Sequence, residues 1–221
     1  MLFSIAAGLL LIPQTLGGPS QAVLDRFLAP DETPLVSYRA VRTMTASTRG
    51  GRMHAEMEVE TAFDPVRGFT FTIVSENGSG LIRRRVLLAA LETEQKAVAR
   101  AARDDSAITP ANYDFVAATQ AEATLIAIGV RAKRKSTMLL NGTVYLNPVR
   151  YDLERVEGEL AERPSFWTRR VRITRRYDRV GGVHVPIAME SNADVRIVGA
   201  SNFSMTYRYT EINGRSTEQM R

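Results

Sequence analysis

The side chains able to do acid–base or nucleophilic chemistry are few in this chain. There is no cysteine, which excludes thiol nucleophiles, Cys-ligated metals and disulfide frameworks. The two histidines are far apart in sequence and no HExxH pattern accompanies them, so they make a weak zinc site. His54 falls on the polar side of a glutamate-rich segment, where an exposed structural role is expected. His184 sits in Val183-His184-Val185 beside Pro186, the setting of a core or edge residue. Asn77-Gly78-Ser79-Gly80 marks a strand-to-helix turn, the place where many hydrolases carry a nucleophile. The glycine required two residues before the serine is here Asn77, so the nucleophile-elbow pattern is not met. A helix starting at that turn could hold an anion, but Arg83, Arg84 and Arg85 fit a solvated first turn equally well. With no nucleophile–base pair and no metal constellation, the expectation is a non-enzyme without cofactor or metal.

Charge and softness are the more informative features. The net charge is +5 and the pI about 9.8. Lysine is confined to Lys96, Lys133 and Lys135, so the positive charge is almost all arginine. A GC-rich genome is the expected reason for that bias. Nucleic-acid binding wants a clustered basic patch with interleaved aromatics, and is not expected. Arg169, Arg170, Arg172, Arg175, Arg176 and Arg179 crowd one segment, and the preceding one carries Asp152, Glu154, Glu157 and Glu159. Cross-strand ion pairing, at about 0.2–1 kcal/mol per pair, explains both; an anionic surface or acidic partner is the alternative. Met44, Met53, Met57, Met138, Met189 and Met205 all fall in predicted strands. Flexible thioethers suit a cavity that accepts variable apolar shapes, and they suit ordinary core packing too.

These residues need a scaffold, and the most legible part of it is residues 81–103. Ile82, Val86, Ala90 and Ala97 fall on one line of a helical wheel, with Leu87, Leu91 and Val98 on the line beside it. That is a long amphipathic helix with a wide apolar stripe, and Ser79 is placed to cap it. A short helix is expected within Ser20–Ala29. Almost everything else reads as strands: Leu35–Ser47, Met53–Ala62, Gly68–Ser75, Tyr113–Gln120, Thr124–Ala132, Thr137–Leu146, Tyr151–Leu160, Phe166–Arg179, Val183–Ser191, Ala193–Val198 and Ser201–Ile212. Asn141-Gly142 is expected to be a tight turn or a bulge, and Ser191-Asn192 a break. In Met53–Ala62 the apolar Met53, Ala55, Met57 and Val59 alternate with His54, Glu56, Glu58 and Glu60, so the sheet has one wet side. The fold class expected is α+β: a strongly curved antiparallel sheet, an incomplete β-barrel, with one long helix covering its concave apolar face.

At 221 residues one domain is expected, over 23–221, large enough to need no staples. Residues 1–22 read as a signal peptide. The run Phe3–Ile12 is apolar but too short to span a membrane, Pro13, Gly17, Gly18 and Pro19 break it, and Ser20-Gln21-Ala22 offers small residues for cleavage. No Lys or Arg precedes the apolar run, and a buried N-terminal helix is the alternative. Export without cysteine favours a bacterial periplasm.

Several turn phrases carry a resemblance: Asn112-Tyr113-Asp114-Phe115, the stretch Leu140–Leu146, Arg155–Gly158, Pro164–Trp167 and Tyr177–Pro186. By these, over roughly residues 35–213, the chain resembles the LolA/LolB lipoprotein-carrier superfamily and its outer-membrane lipoprotein-sorting relatives. The resemblance implies an incomplete barrel, apolar inside and covered by helices, that holds acyl chains or senses lipidated or misfolded proteins. No functional residue is carried over from those families. The expected function is an exported binding protein that shields a lipid or a lipoprotein acyl chain, with a membrane-associated protein as a further partner. A regulatory or structural docking module on the same fold is the alternative. The expected cavity residues are Met44, Met53, Met57, Phe69, Phe71 and Ile82, together with Val86, Phe115, Trp167, Ile173, Met189 and Met205.

Overall fold

A computed structural model describes residues 19–30, 33–99, 105–117, 124–166, 168–196 and 199–220. The expected signal segment through residue 18, the end of the long helix at 100–103 and Trp167 lie outside the described residues. The described residues open with a short helix, α1 (Gln21–Phe27). It then lays down three strands: β1 (Tyr38–Thr48), β2 (Met53–Asp64) and β3 (Gly68–Gly78). The long helix α2 covers residues 80–99 and is assembled from Gly80–Ile82, Arg83–Leu88 and Ala89–Ala99. Seven longer strands follow: β4 (Tyr113–Ala117), β5 (Ile126–Ala132), β6 (Leu140–Leu146), β7 (Leu153–Leu160), β8 (Thr168–Val180), β9 (Val183–Val195) and β10 (Gly199–Ile212). A short β11 (Arg215–Ser216) closes the sheet's account by pairing with β10.

All strands among the described residues join one antiparallel sheet, in the order β3-β2-β1-β10-β9-β8-β7-β6-β5-β4. The chain therefore runs out to one edge strand, β3, crosses as α2, and re-enters at the opposite edge strand, β4. Among the described residues these edges do not pair, so the barrel stays open, the α+β class expected. The sheet curls. Tyr113 on β4 lies in the electrostatic field of Arg175 on β8, although their strands stand four places apart, about 19 Å in a flat sheet.

Alternation sets the faces. Along β2, Ala55, Met57, Val59, Thr61 and Phe63 are buried while His54, Glu56 and Glu60 are exposed. Helix α2 docks on the buried side, where Ile82, Leu87 and Leu91 pack with Met44, Met57, Val59, Phe69 and Met205. A second cluster, Tyr113, Ile128, Val130, Leu139, Val144, Leu146, Leu153 and Val156, fills the β4–β7 half, and Val23, Leu24 and Phe27 of α1 pack on it. The long helix α2 covers the apolar face on the β1–β3 side, as expected, and the short α1 packs on part of the other side.

Three local expectations are corrected. Asn141-Gly142 is neither turn nor bulge but lies inside β6, with Gly142 paired to Gly158. The glycine is there because β6 and β7 approach closely: a Cβ on it would collide with the Glu157 carbonyl and sit 2.5 Å from the Gly158 Cα. Ser191-Asn192 is not a break; β9 runs through it, because Asn192 pairs with Arg172 on one side and Asn202 on the other. Met138 lies in the turn before β6 and is 41% exposed, not in a strand.

A candidate ligand cleft on the sheet's apolar face

Two sites stand out on the inner face: a buried ion pair that fixes α2, and an open cleft that α2 leaves uncovered. On β1, Ala40, Arg42, Met44 and Ala46 are all buried, so Arg42 occupies an apolar register position. Its guanidinium donates to both oxygens of Glu94 on α2, at 2.6 and 2.9 Å, and to the Tyr38 hydroxyl at 2.7 Å. The rings of Phe69 and Tyr207 sandwich it, at 4.9 and 4.7 Å. Burial works against the charge, but the Glu94 hydrogen bonds and the surrounding phenols more than offset it, so the Arg42 pKa is raised. Burial likewise pushes the phenols of Tyr38, Tyr207 and Tyr209 up, keeping them neutral. Gln95 adds a hydrogen bond to the Phe69 carbonyl at 3.2 Å, so α2 is tied to the β1–β3 half.

Within α2, residues 83–88 form a π turn. The buried contacts consequently step five residues, from Ile82 to Leu87, before resuming a step of four to Leu91. Val86, which an unbroken α-helix would turn inward, is 38% exposed for this reason.

The cleft has a volume of about 1040 Å³, at the top of the roughly 300–1,000 Å³ usual for small-molecule sites. Its floor is Leu153, Val156, Ile173, Arg175, Tyr177 and Met189, on β7 to β9. Its cover is the end of α1 with Leu28 to Pro30, and Ser106 to Thr109 from the connector before β4. Phe27 meets Phe115 edge-on at 6.4 Å, which seats α1 on the β4 edge. A bidentate ion pair braces one rim: Arg179 donates to Asp152 at 2.7 and 2.8 Å, and Arg150 joins at 3.0 Å. Those donors, Arg179 foremost, hold the Asp152 carboxyl down at about 2. His184 is part of the same rim, with Nε2 2.6 Å from the Leu153 carbonyl and its ring stacked on Tyr177.

The expected cavity residues divide between these regions. Met44, Met57, Phe69, Ile82 and Met205 belong to the packed cluster under α2, with Met53 and Phe71 against it. Phe115 packs on the β4–β7 cluster. Ile173 and Met189 line the cleft. Four of the methionines fall in one cross-strand row, Met57–Met44–Met205–Met189. The expected arginine–carboxylate pairing across β7 and β8 is present at Arg170 and Arg172 with Glu159, and at Arg179 with Asp152. Arg169 and Arg176 turn instead to Asp194 and Glu190 on β9. Ser79 stands at the N-cap position but makes no side-chain cap bond, and Arg83 beside it pairs with Glu76. Arg42, Glu94 and Arg175 were missed as site residues. The signal for the first two was a charge at an apolar position: Arg42 alternates with Ala40 and Met44, and Glu94 follows Leu87 and Leu91 along the buried stripe.

Among the described residues no cluster of His, Asp and Glu could hold a metal, and no helix is long and apolar enough to cross a membrane. No protein-family model matches the chain, and no curated protein matches it. Among solved structures it is similar to the crystal structure of a LolA superfamily protein from Nitrosomonas europaea, at 10% identity over 89% of this chain and 93% of that one, with a TM-score of 0.41. It is also similar to a domain named for outer membrane lipoprotein sorting from Vibrio parahaemolyticus, at 9% identity over 90% and 95% of the two chains, again at TM-score 0.41.

Proposed function

We propose that this chain is an exported, periplasmic, non-catalytic binding protein that shields an apolar ligand, a lipid or a lipoprotein acyl chain, in the cleft over β7 to β9. The observation that carries this reading is the cleft itself: about 1040 Å³ on the apolar face of the sheet, left uncovered by the helix that fills the other half. A filled interior would favour a docking module instead. Each methylene taken from water into such a floor contributes about 0.8 kcal/mol, so a long chain needs few polar contacts to be held. Because α2 is tied down by Arg42 and Glu94, the ligand enters past α1 and residues 105–109, and a membrane-associated partner with a better-matched cavity receives it. The reading is tested by extracting lipid from the purified protein and identifying it by mass spectrometry. Stoichiometric acylated species, lost in Met138→Arg, which puts a charge at the mouth, support it. Protein that purifies without lipid and fails to take up Nile red or 1-palmitoylglycerol refutes it.

A further inference from the structure

The inner face carries a row of directly opposed residues across eight strands: Met57, Met44, Met205, Met189, Arg175, Val156, Val144 and Ile128. Met57, Met44, Met205, Val156, Val144 and Ile128 are each at most 7% exposed. A single charge interrupts this apolar row, and it lies on the floor of the cleft. Its surroundings differ from those of every neighbouring arginine on β8. Arg169, Arg170, Arg172, Arg176 and Arg179 each face a carboxylate. Arg175 takes part in none of the ion pairs among the described residues; it points at the Met189 sulfur, 4.0 Å away, and at the Tyr177 side chain. Glu94 is a carboxylate whose field reaches it, and both oxygens of Glu94 are occupied by Arg42.

Arg175 is exposed on the floor of the cleft, so its guanidinium keeps its hydration until a ligand of opposite charge meets it. Its planar fork matches a carboxylate or phosphate in bidentate fashion. Solvent reaches Arg175 through the open cleft, so its donors are available to a ligand. On either side of it lie apolar surfaces: Met189 along the row in one direction, Val156 in the other, with Ile173 two residues before it on β8.

We propose that Arg175 is the head-group subsite of the cleft, and that the ligand is an acyl amphiphile whose acidic head, a carboxylate or a phosphate, pairs with this guanidinium while its chain lies on the apolar floor. This rests on the cleft being an apolar-ligand site. The test uses displacement of Nile red, a neutral probe, from the full chain. Three single-chain competitors below their micellar concentrations are compared: palmitate, 1-palmitoyl lysophosphatidic acid and neutral 1-palmitoylglycerol. The wild type is expected to bind at least one acid about tenfold or more tightly than the glycerol ester, the effect of one or two hydrogen bonds to a charged group. Which acid gains identifies the head as carboxylate or phosphate. Arg175→Gln abolishes that preference and leaves 1-palmitoylglycerol within about twofold, while Arg176→Gln, on the paired outer face, changes nothing. Should Arg175→Gln fold poorly, the wild type still decides: added salt weakens the acid and not the glycerol ester. Equal affinity of all three competitors, or a preference that survives Arg175→Gln, overturns the head-group assignment and leaves the cleft's role standing. If no competitor displaces the probe, the cleft's role and the assignment fall together.

Discussion

Glu94→Ala tests how α2 is held to the sheet. Arg42 is 1% exposed and donates to both Glu94 oxygens. Truncating Glu94 leaves the guanidinium with the Tyr38 hydroxyl, the Met205 sulfur and two ring faces. Removing one member of a buried pair costs about 3–5 kcal/mol, because the other charge is stranded. Two features lower the figure here. The Glu94 side chain is 36% exposed, so water reaches the space the carboxylate vacates. The Phe69 and Tyr207 rings also retain about 1–2 kcal/mol of cation–π attraction. The expected loss is therefore about 2–3 kcal/mol. Arg42→Met, which removes the buried charge and keeps an apolar stem, costs less, and in Arg42→Met/Glu94→Gln the two losses are far from additive. Urea unfolding followed by circular dichroism gives the shift in midpoint at constant m. Hydrogen exchange locates it: protection falls first in residues 80–99 and β1–β3, with β5–β7 unaffected. A loss under about 0.5 kcal/mol, the range of an ordinary surface change, refutes the account of the helix.

Two further outcomes follow from local geometry. Gly142→Ala places a Cβ against the Glu157 carbonyl between β6 and β7; backbone cannot retreat as a side-chain tip can, so a loss of about 2 kcal/mol or more is expected in the urea midpoint. At the cleft rim, the Asp152 carboxyl is lowered from 3.8 to about 2 in the folded chain. A depressed folded pKa gives stability that is complete above about pH 4 and drains away as pH falls toward 2, since the unfolded state takes up the proton first. Asp152 has an 11% exposed side chain, and after allowance for solvent screening the effect is on the order of 1–2 kcal/mol. Asp152→Asn flattens that acid limb in a pH series of unfolding midpoints.

Much of the fold was legible because its signals are local. The strand alternation of Met53–Val59 and the apolar stripe of residues 81–99 fixed which faces meet, and the structure pairs them as read. What was not legible depends on neighbours in space. Asn141-Gly142 carries turn chemistry, yet its glycine serves close strand approach. Ser191-Asn192 looks like a break, yet partners on both sides hold it extended. The π turn that rotates Val86 outward leaves no mark in a wheel drawn at a constant step. The same holds for the site. Ile173 and Met189 were recognisable as inward apolar positions, but the separation of packed core from open cleft depends on where α2 stops covering the sheet. Arg175 was read as one of a crowd of surface arginines, since only strand register shows it opposite Met189 and Val156.

Photo-cross-linking reads the central claim most directly. A neutral acylglycerol bearing a diazirine along its chain is bound to the purified protein and irradiated, and the adducts are mapped by peptide mass spectrometry. Adducts are expected at Leu140, Leu153, Val156, Ile173 and Met189, which line the cleft, and are suppressed by excess 1-palmitoylglycerol. Labelling that competes but falls on the acidic outer face around Glu56 and Glu60, or beneath α2 at Leu87 and Leu91, contradicts the account.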